Sequence, residues 1–128
     1  MNIQKNRIYV QIIGALTLLM VLIYFFFLKE TSHINGAVHT IVLTDKGYEP
    51  AELYIKQGDT VVFSSTRNFP YWPASDKHPS HSIYPEFDPK QPIAPTDTWE
   101  FDFKNSGTWN YHDHLNSSIR GIIHVLNK

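Results

Sequence analysis

Residues 98–114 read TWEFDFKNSGTWNYHDH, and this stretch decides the fold. In its first half Trp99, Phe101 and Phe103 alternate with Thr98, Glu100 and Asp102. Side chains on a strand leave opposite faces in turn, so this period of two marks a half-buried β-strand over Thr98–Phe103. A second strand begins at Gly107. Its Trp109, Tyr111 and Asp113 share one face, while Asn110, His112 and His114 share the other. The aromatic face is the expected core face, which points His112 and His114 away from the core.

The same pattern of short apolar runs broken by turn residues extends in both directions. Val38–Leu43 alternates and is closed by Thr44-Asp45-Lys46-Gly47. Leu53–Ile55, Thr60–Ser64, His81–Tyr84 and Gly121–Leu126 supply further strands. Turn chemistry such as Asp-Lys-Gly and Gln-Gly-Asp separates the early runs. About seven strands with no helical periodicity between them predict an all-β domain, an antiparallel Greek-key sandwich or barrel. Pro70, Pro73, Pro79, Pro85, Pro89, Pro92 and Pro95 crowd the connection between the third and later strands. Long connections at one end of a sandwich are where functional loops gather.

The 128-residue chain has room for one domain and one extra element. The extra element is residues 8–28, IYVQIIGALTLLMVLIYFFFL, which carry no charge. Their length matches the roughly 20 residues of a bilayer-crossing helix. Lys5 and Arg7 precede the run, whereas Lys29 and Glu30 follow and cancel, so the N-terminus is expected on the cytoplasmic side. The run is longer than a signal peptide's apolar region, and no good small-x-small cleavage site follows. The expected organisation is residues 1–7 cytoplasmic, 8–28 transmembrane, 29–37 linker and 38–128 an extracytoplasmic domain of the plasma membrane. From Glu30 onward, 8 Lys/Arg against 12 Asp/Glu leave a formal charge of 8 − 12 = −4. That balance gives no reason to expect nucleic-acid binding.

Seven histidines and no cysteine point to the chemistry. Four histidines fall in two clusters, His78 and His81 in HPSH, and His112 and His114 in YHDH. Neutral imidazoles bind borderline divalent ions, and a second pair could complete the shell begun by a first. Asp113 lies between two of these histidines. A regular strand leaves open whether Asp113 or the flanking pair would face the ion. Glu86 and Asp88 could supply a carboxylate ligand or a hydrogen bond behind one. Trp72 either shields a site from water or anchors a loop. His33, His39 and His124 lie apart from both clusters and are expected to face solvent.

On these residues the chain resembles the cupredoxins, copper-binding Greek-key β-barrels that include plastocyanin and the domains of multicopper oxidases. The resemblance spans about Val38 to Asn127. YEPAELYIKQGDTVVF (48–63) is similar to the family's segment leading to the strand before the first copper ligand. His81 in HSIYP is similar to the first histidine ligand. GTWNYHDHLNSSIRGIIHV (107–125) is similar to the terminal ligand hairpin, with Asp113 where a blue-copper cysteine would stand and a connecting loop over 115–120 that lacks histidine and methionine. GTWNYHDH and HPSHSI also resemble multicopper-oxidase motifs. By that resemblance His81, His112 and His114 would match type 2 or type 3 copper positions, and His78 a type 1 histidine. A neighbouring domain completes such sites in the oxidases, so a shared site here would require self-association.

A blue centre depends on a Cu–thiolate bond, and this chain has no thiolate. The resemblance therefore implies a cysteine-free, type 2-like copper site held by His81, His112 and His114, with His78 and then Asp113 as further candidate ligands. The Irving–Williams order favours copper, and zinc would also suit imidazoles. The expected role is binding, buffering or delivery of copper by a membrane-anchored protein, with either a protein partner or self-association. Two other readings remain at this stage: a copper-dependent oxidoreductase, and a metal-free interaction module of a membrane assembly.

Overall fold

The computed structural model describes residues 12–24 and 36–128 of the chain. Two compact units result, Met1–Ile34 and Asn35–Lys128. In the first, residues 12–24 form a helix whose apolar side chains, among them Leu16, Leu19, Met20 and Leu22, are exposed. The expected span of 8–28 extends past this helix, and residues 8–11 and 25–28 lie outside the described residues, as does His33. Thirteen helical residues at 1.5 Å each cover about 20 Å, against about 30 Å of hydrocarbon. Among the described residues no helix is long and apolar enough to cross a membrane.

The second unit is a sandwich of eight strands in two four-stranded sheets. One sheet holds β1 (Val38–Thr44), β2 (Gly47–Glu49), β4 (Thr60–Ser65) and β6 (Trp99–Asp102), in the order β2-β1-β4-β6. The other holds β3 (Glu52–Lys56), β5 (Pro73–Ser75), β7 (Gly107–Asp113) and β8 (Asn116–Leu126), in the order β3-β8-β7-β5. The sheets are mixed rather than purely antiparallel: β1 runs parallel to β4, and β3 parallel to β8. Crossing between sheets after β2 and after β3 brings strands side by side in the same direction, which no hairpin can do.

Alternation fixes the core. Ile41 and Leu43 of β1, Val61 and Phe63 of β4, and Ile123 and Val125 of β8 all point inward and are buried. Phe103 is fully buried, and Trp99 and Phe101 pack against the same cluster, as the period of two requires. Asp59 ties the entry to this sandwich. Its carboxylate accepts the backbone N–H of Ala37 at 2.9 Å and of Lys56 at 3.0 Å, and meets His39 Nε2 at 2.8 Å.

Three local expectations are corrected. The segment His81–Tyr84 is irregular rather than a strand, and the extra strand beside β7 is Pro73–Ser75. The amides of this segment are taken up outside any ladder, with Ile83 N–H donating to the Asp76 carbonyl at 2.8 Å and Tyr84 N–H to the Ser75 hydroxyl at 3.2 Å, whereas Pro73 sits at the start of an edge strand, where no donor is missed. Of the expected loop over 115–120, residues 116–120 are instead part of β8, and the β7–β8 hairpin closes in two residues, His114 and Leu115. His114 therefore lies in the turn and not on the strand.

The Pro-rich connection is not a surface excursion. Phe87 is fully buried, with its ring centroid 5.6 Å from that of Phe63, 5.1 Å from Phe103 and 5.5 Å from Tyr111. Burying one such side chain stabilises by about 1.5–3 kcal/mol. That anchor fixes the loop whose neighbouring residues carry the site chemistry.

Candidate metal centre

The end of β7, the edge strand β5 and the loop over 76–90 converge. His112 pairs with Ala74 across β5 and β7, and its side chain is fully buried. It does leave the strand on the side away from Tyr111, as the alternation predicts, but the 76–90 loop roofs it, so it does not meet solvent. A register shift between His112 and Asp113 breaks the alternation just before the turn. A bulge of this kind re-aims side chains at a strand end. His112, from the end of β7, and His114, from the turn after it, converge with the HPSH pair.

The ligand nitrogens of His78, His81, His112 and His114 all lie within 4.8 Å of one another. His78 Nδ1 is 3.1 Å from His112 Nε2, and His81 Nε2 is 2.8 Å from His114 Nδ1. Two nitrogens bound on opposite sides of one ion at 2.0–2.1 Å are about 4 Å apart, so small side-chain rotations suffice to close this set on a metal.

Carboxylates orient two of the four rings. His112 Nδ1 is 2.8 Å from Asp76 Oδ1, and His81 Nδ1 is 2.6 Å from Asp88 Oδ2. A neutral imidazole carries one N–H, and a carboxylate only accepts. With Nδ1–H donated to the acid, the lone pair of each ring is on Nε2, the atom inside the cluster. This carboxylate–histidine arrangement is the one that metal-binding imidazoles use, since it fixes the tautomer and raises ligand basicity. Each acid in turn meets a cation: Arg120 Nη1 is 3.0 Å from Asp76 Oδ2, and Lys90 Nζ is 2.9 Å from Asp88 Oδ2.

Burial opposes ionisation of Asp88, yet hydrogen bonds from Lys90, His81 and the Trp72 indole outweigh it and hold the carboxyl well below the usual carboxylate range. Burial lowers the pKa of His112, with Asp76 offsetting part of the effect, and burial followed by the charges of His81 and His78 lowers that of His114. Both rings are thereby kept in the neutral form that a metal needs. His81 itself sits at φ 48°, a left-handed conformation uncommon outside glycine. The surrounding loop maintains it through the Ser75 hydroxyl, which donates to the His81 carbonyl at 3.0 Å.

Trp72 serves both roles between which its sequence could not decide. Its indole N–H donates to Asp88 Oδ1 at 2.8 Å, and its ring lies 4.4 Å from that of His114, covering the cluster. Asp113 is placed differently from the histidines. It is buried, and its Oδ1 accepts the backbone N–H groups of Trp72 at 3.0 Å and Leu115 at 3.1 Å. Burial raises its pKa, with those two hydrogen bonds offsetting part of the rise. It is outside the four-histidine group. His39 and His124 are only partly exposed and are paired, with Asp59 and with Glu52 respectively, far from the cluster. Asp76 was missed as a partner of His112. The signal available was an acid two residues before the HPSH cluster.

Fold and site together define a small β-sandwich with a histidine cluster able to hold a metal ion. The sequence signature of the cupredoxin-like domain matches residues 17–125, and the chain belongs to that family. Among solved structures it is similar to a purple cupredoxin from Nitrosopumilus maritimus, with 21% identity over 68% of this chain and 98% of that one, at a TM-score of 0.60. It is similar also to the reduced state of a Pro-to-Phe variant of amicyanin, with 23% identity over 73% of this chain and 86% of that one, at 0.59. A copper-containing nitrite reductase from Thermus scotoductus shares 19% identity over 70% of this chain at 0.59, but the chain spans only 22% of that enzyme. No curated protein matches the chain.

Proposed function

We propose that this protein binds one copper ion in a cysteine-free, type 2-like site formed by His81, His112, His114 and His78, and that it buffers or delivers that ion. The observation that carries the reading is the pair of carboxylate-backed imidazoles, His81 with Asp88 and His112 with Asp76, aimed into a four-nitrogen cluster. An all-nitrogen set favours Cu(II) among first-row divalent ions, with zinc as the next candidate. When bound, the ion would supply a Lewis-acidic centre of the non-blue kind, since the chain has no thiolate. The chain's own residues orient the ligands through Asp76 and Asp88, and Trp72 limits access of water to His114.

The apolar, uncharged sequence over 8–28 supports anchoring in a membrane with the β domain outside the cytoplasm. Fractionation of cells expressing the full chain tests this part: the protein stays with membranes after a high-salt wash, and release into the soluble fraction would count against anchoring.

The copper reading is tested by titrating metal-free protein with Cu(II) and following thermal unfolding. Binding stabilises the folded state by RT ln(1 + [L]/Kd), about 2.7 kcal/mol at a hundredfold excess over Kd. One equivalent bound with a raised Tm is expected, and no rise in a His81→Ala/His112→Ala variant. An unchanged wild-type Tm with both Cu(II) and Zn(II) would refute it.

A further inference from the structure

The four histidines are not equivalent. His81 and His112 are buried and each is held from behind by a carboxylate. His114 is partly covered by the Trp72 ring at 4.4 Å. His78 is exposed and belongs to the turn at 78–80. Its Nδ1 touches only His112, and among the described residues no carboxylate contacts its ring. Holding an exposed, unbacked side chain on a metal costs rotamer entropy that the other three have already lost on folding.

Resting on the copper reading, we infer that His78 is an exchangeable ligand, and that its coordination position is the door through which an external imidazole-class nitrogen donor, a histidine of a copper-exchanging partner, takes hold of the ion. Three held histidines keep the metal while one position turns over. Approach from outside is possible at His78 because that ring is the exposed member of the set, whereas the Nε2 atoms of His81 and His112 face inward. The exchange is a ligand substitution: one metal–nitrogen bond breaks and another forms, with no electron transferred. A site with four equally buried ligands would release copper only by opening the loop that Phe87 anchors.

The test uses the full chain as wild type, His78→Ala and His112→Ala, with free imidazole as the probe. Cu(II) affinity and the electron paramagnetic resonance spectrum are read in each, after thermal unfolding of the metal-free proteins has shown that they fold. In His78→Ala a loss of less than about tenfold is expected, against more than about a hundredfold in His112→Ala, which removes a buried ligand together with its hydrogen bond to Asp76. Added imidazole should bind to the copper-loaded His78→Ala protein, restore affinity toward wild type and bring back the wild-type spectrum. Losses of equal size in the two variants, or stripping of copper by imidazole instead of its addition, would overturn the inference. Wild type that binds no copper would instead overturn the reading on which it rests.

Discussion

Asp88 sits behind His81, with its Oδ2 2.6 Å from His81 Nδ1, so the one acid both orients the ring and leaves Nε2 free for the cluster. The same carboxylate also receives the Trp72 indole N–H at 2.8 Å and Lys90 Nζ at 2.9 Å. Replacing it with the isosteric amide should keep the fold and spoil the site. Asp88→Asn is predicted to weaken Cu(II) binding by about 10–100-fold, the range for groups behind a metal ligand. Competitive titration against a chelator measures it, and an unchanged affinity would remove Asp88 from the account.

Phe87 precedes that acid and is buried among Phe63, Phe103 and Tyr111. Truncation to Ala leaves a cavity in a closely packed interior, at a cost of about 3–5 kcal/mol. Because Phe87 anchors the loop bearing His78 and His81, Phe87→Ala should also weaken metal binding, unlike a core truncation far from the loop such as Val125→Ala. Urea unfolding together with metal titration of both variants separates the two effects.

Burial lowers the pKa of His112 and His114 in the folded chain. In the unfolded chain these rings take up protons as pH falls through about 6.5. The unfolded state then binds more protons, so metal-free stability contributed by these two groups is present above that value and declines as pH falls below it. Urea unfolding at pH 8 and pH 5.5 should show a decline that is smaller in His112→Gln. Metal affinity follows the folded values, and should persist to a lower pH than an ordinary histidine site would allow.

Asp59 gives a window of the same sign at lower pH. Burial disfavours its charge, but hydrogen bonds from Lys56, His39 and Ala37 outweigh this and lower its pKa. Its contribution is therefore complete above about pH 4, the unfolded value, and disappears as pH falls through the lower folded value. Asp59→Asn should cost roughly 1–3 kcal/mol near neutral pH, with the gap to wild type closing in strong acid. Denaturant midpoints across pH measure this, and metal affinity should stay unchanged because Asp59 is remote from the cluster.

Gly121 lies across the hairpin from Tyr111, and a Cβ there would run into the Tyr111 ring. That ring is wedged in the core and cannot swing aside. Gly121→Ala is expected to destabilise by about 1–3 kcal/mol, the usual cost of overpacking, as read by thermal unfolding.

Much of this architecture is legible in the residues. The alternation of Trp99, Phe101 and Phe103 is a local property, set by the strand period, and it predicts their shared face. The convergence of HPSH with YHDH is legible as chemistry, since two imidazole pairs together can complete the shell of one metal ion. What stays hidden depends on tertiary context. The bulge after His112 follows from the pairing of β7 with β8, and no composition signal marks it. Phe87 in YPEFDP looks like a loop residue until the opposing sheet supplies its pocket. Asp76 reads as an ordinary acid before a turn, and it becomes His112's partner only when β5 brings it alongside β7. The parallel β1–β4 and β3–β8 pairings likewise arise from sheet crossing, which alternation within a strand does not encode.

The four-histidine copper site is tested most directly by electron paramagnetic resonance of the full chain loaded with one equivalent of Cu(II), wild type beside His112→Ala/His114→Ala. Wild type should give a type 2 signal with splitting from several imidazole nitrogens, and the variant should lose it. A wild-type spectrum identical to free Cu(II), or a bound signal that survives both substitutions, would contradict it.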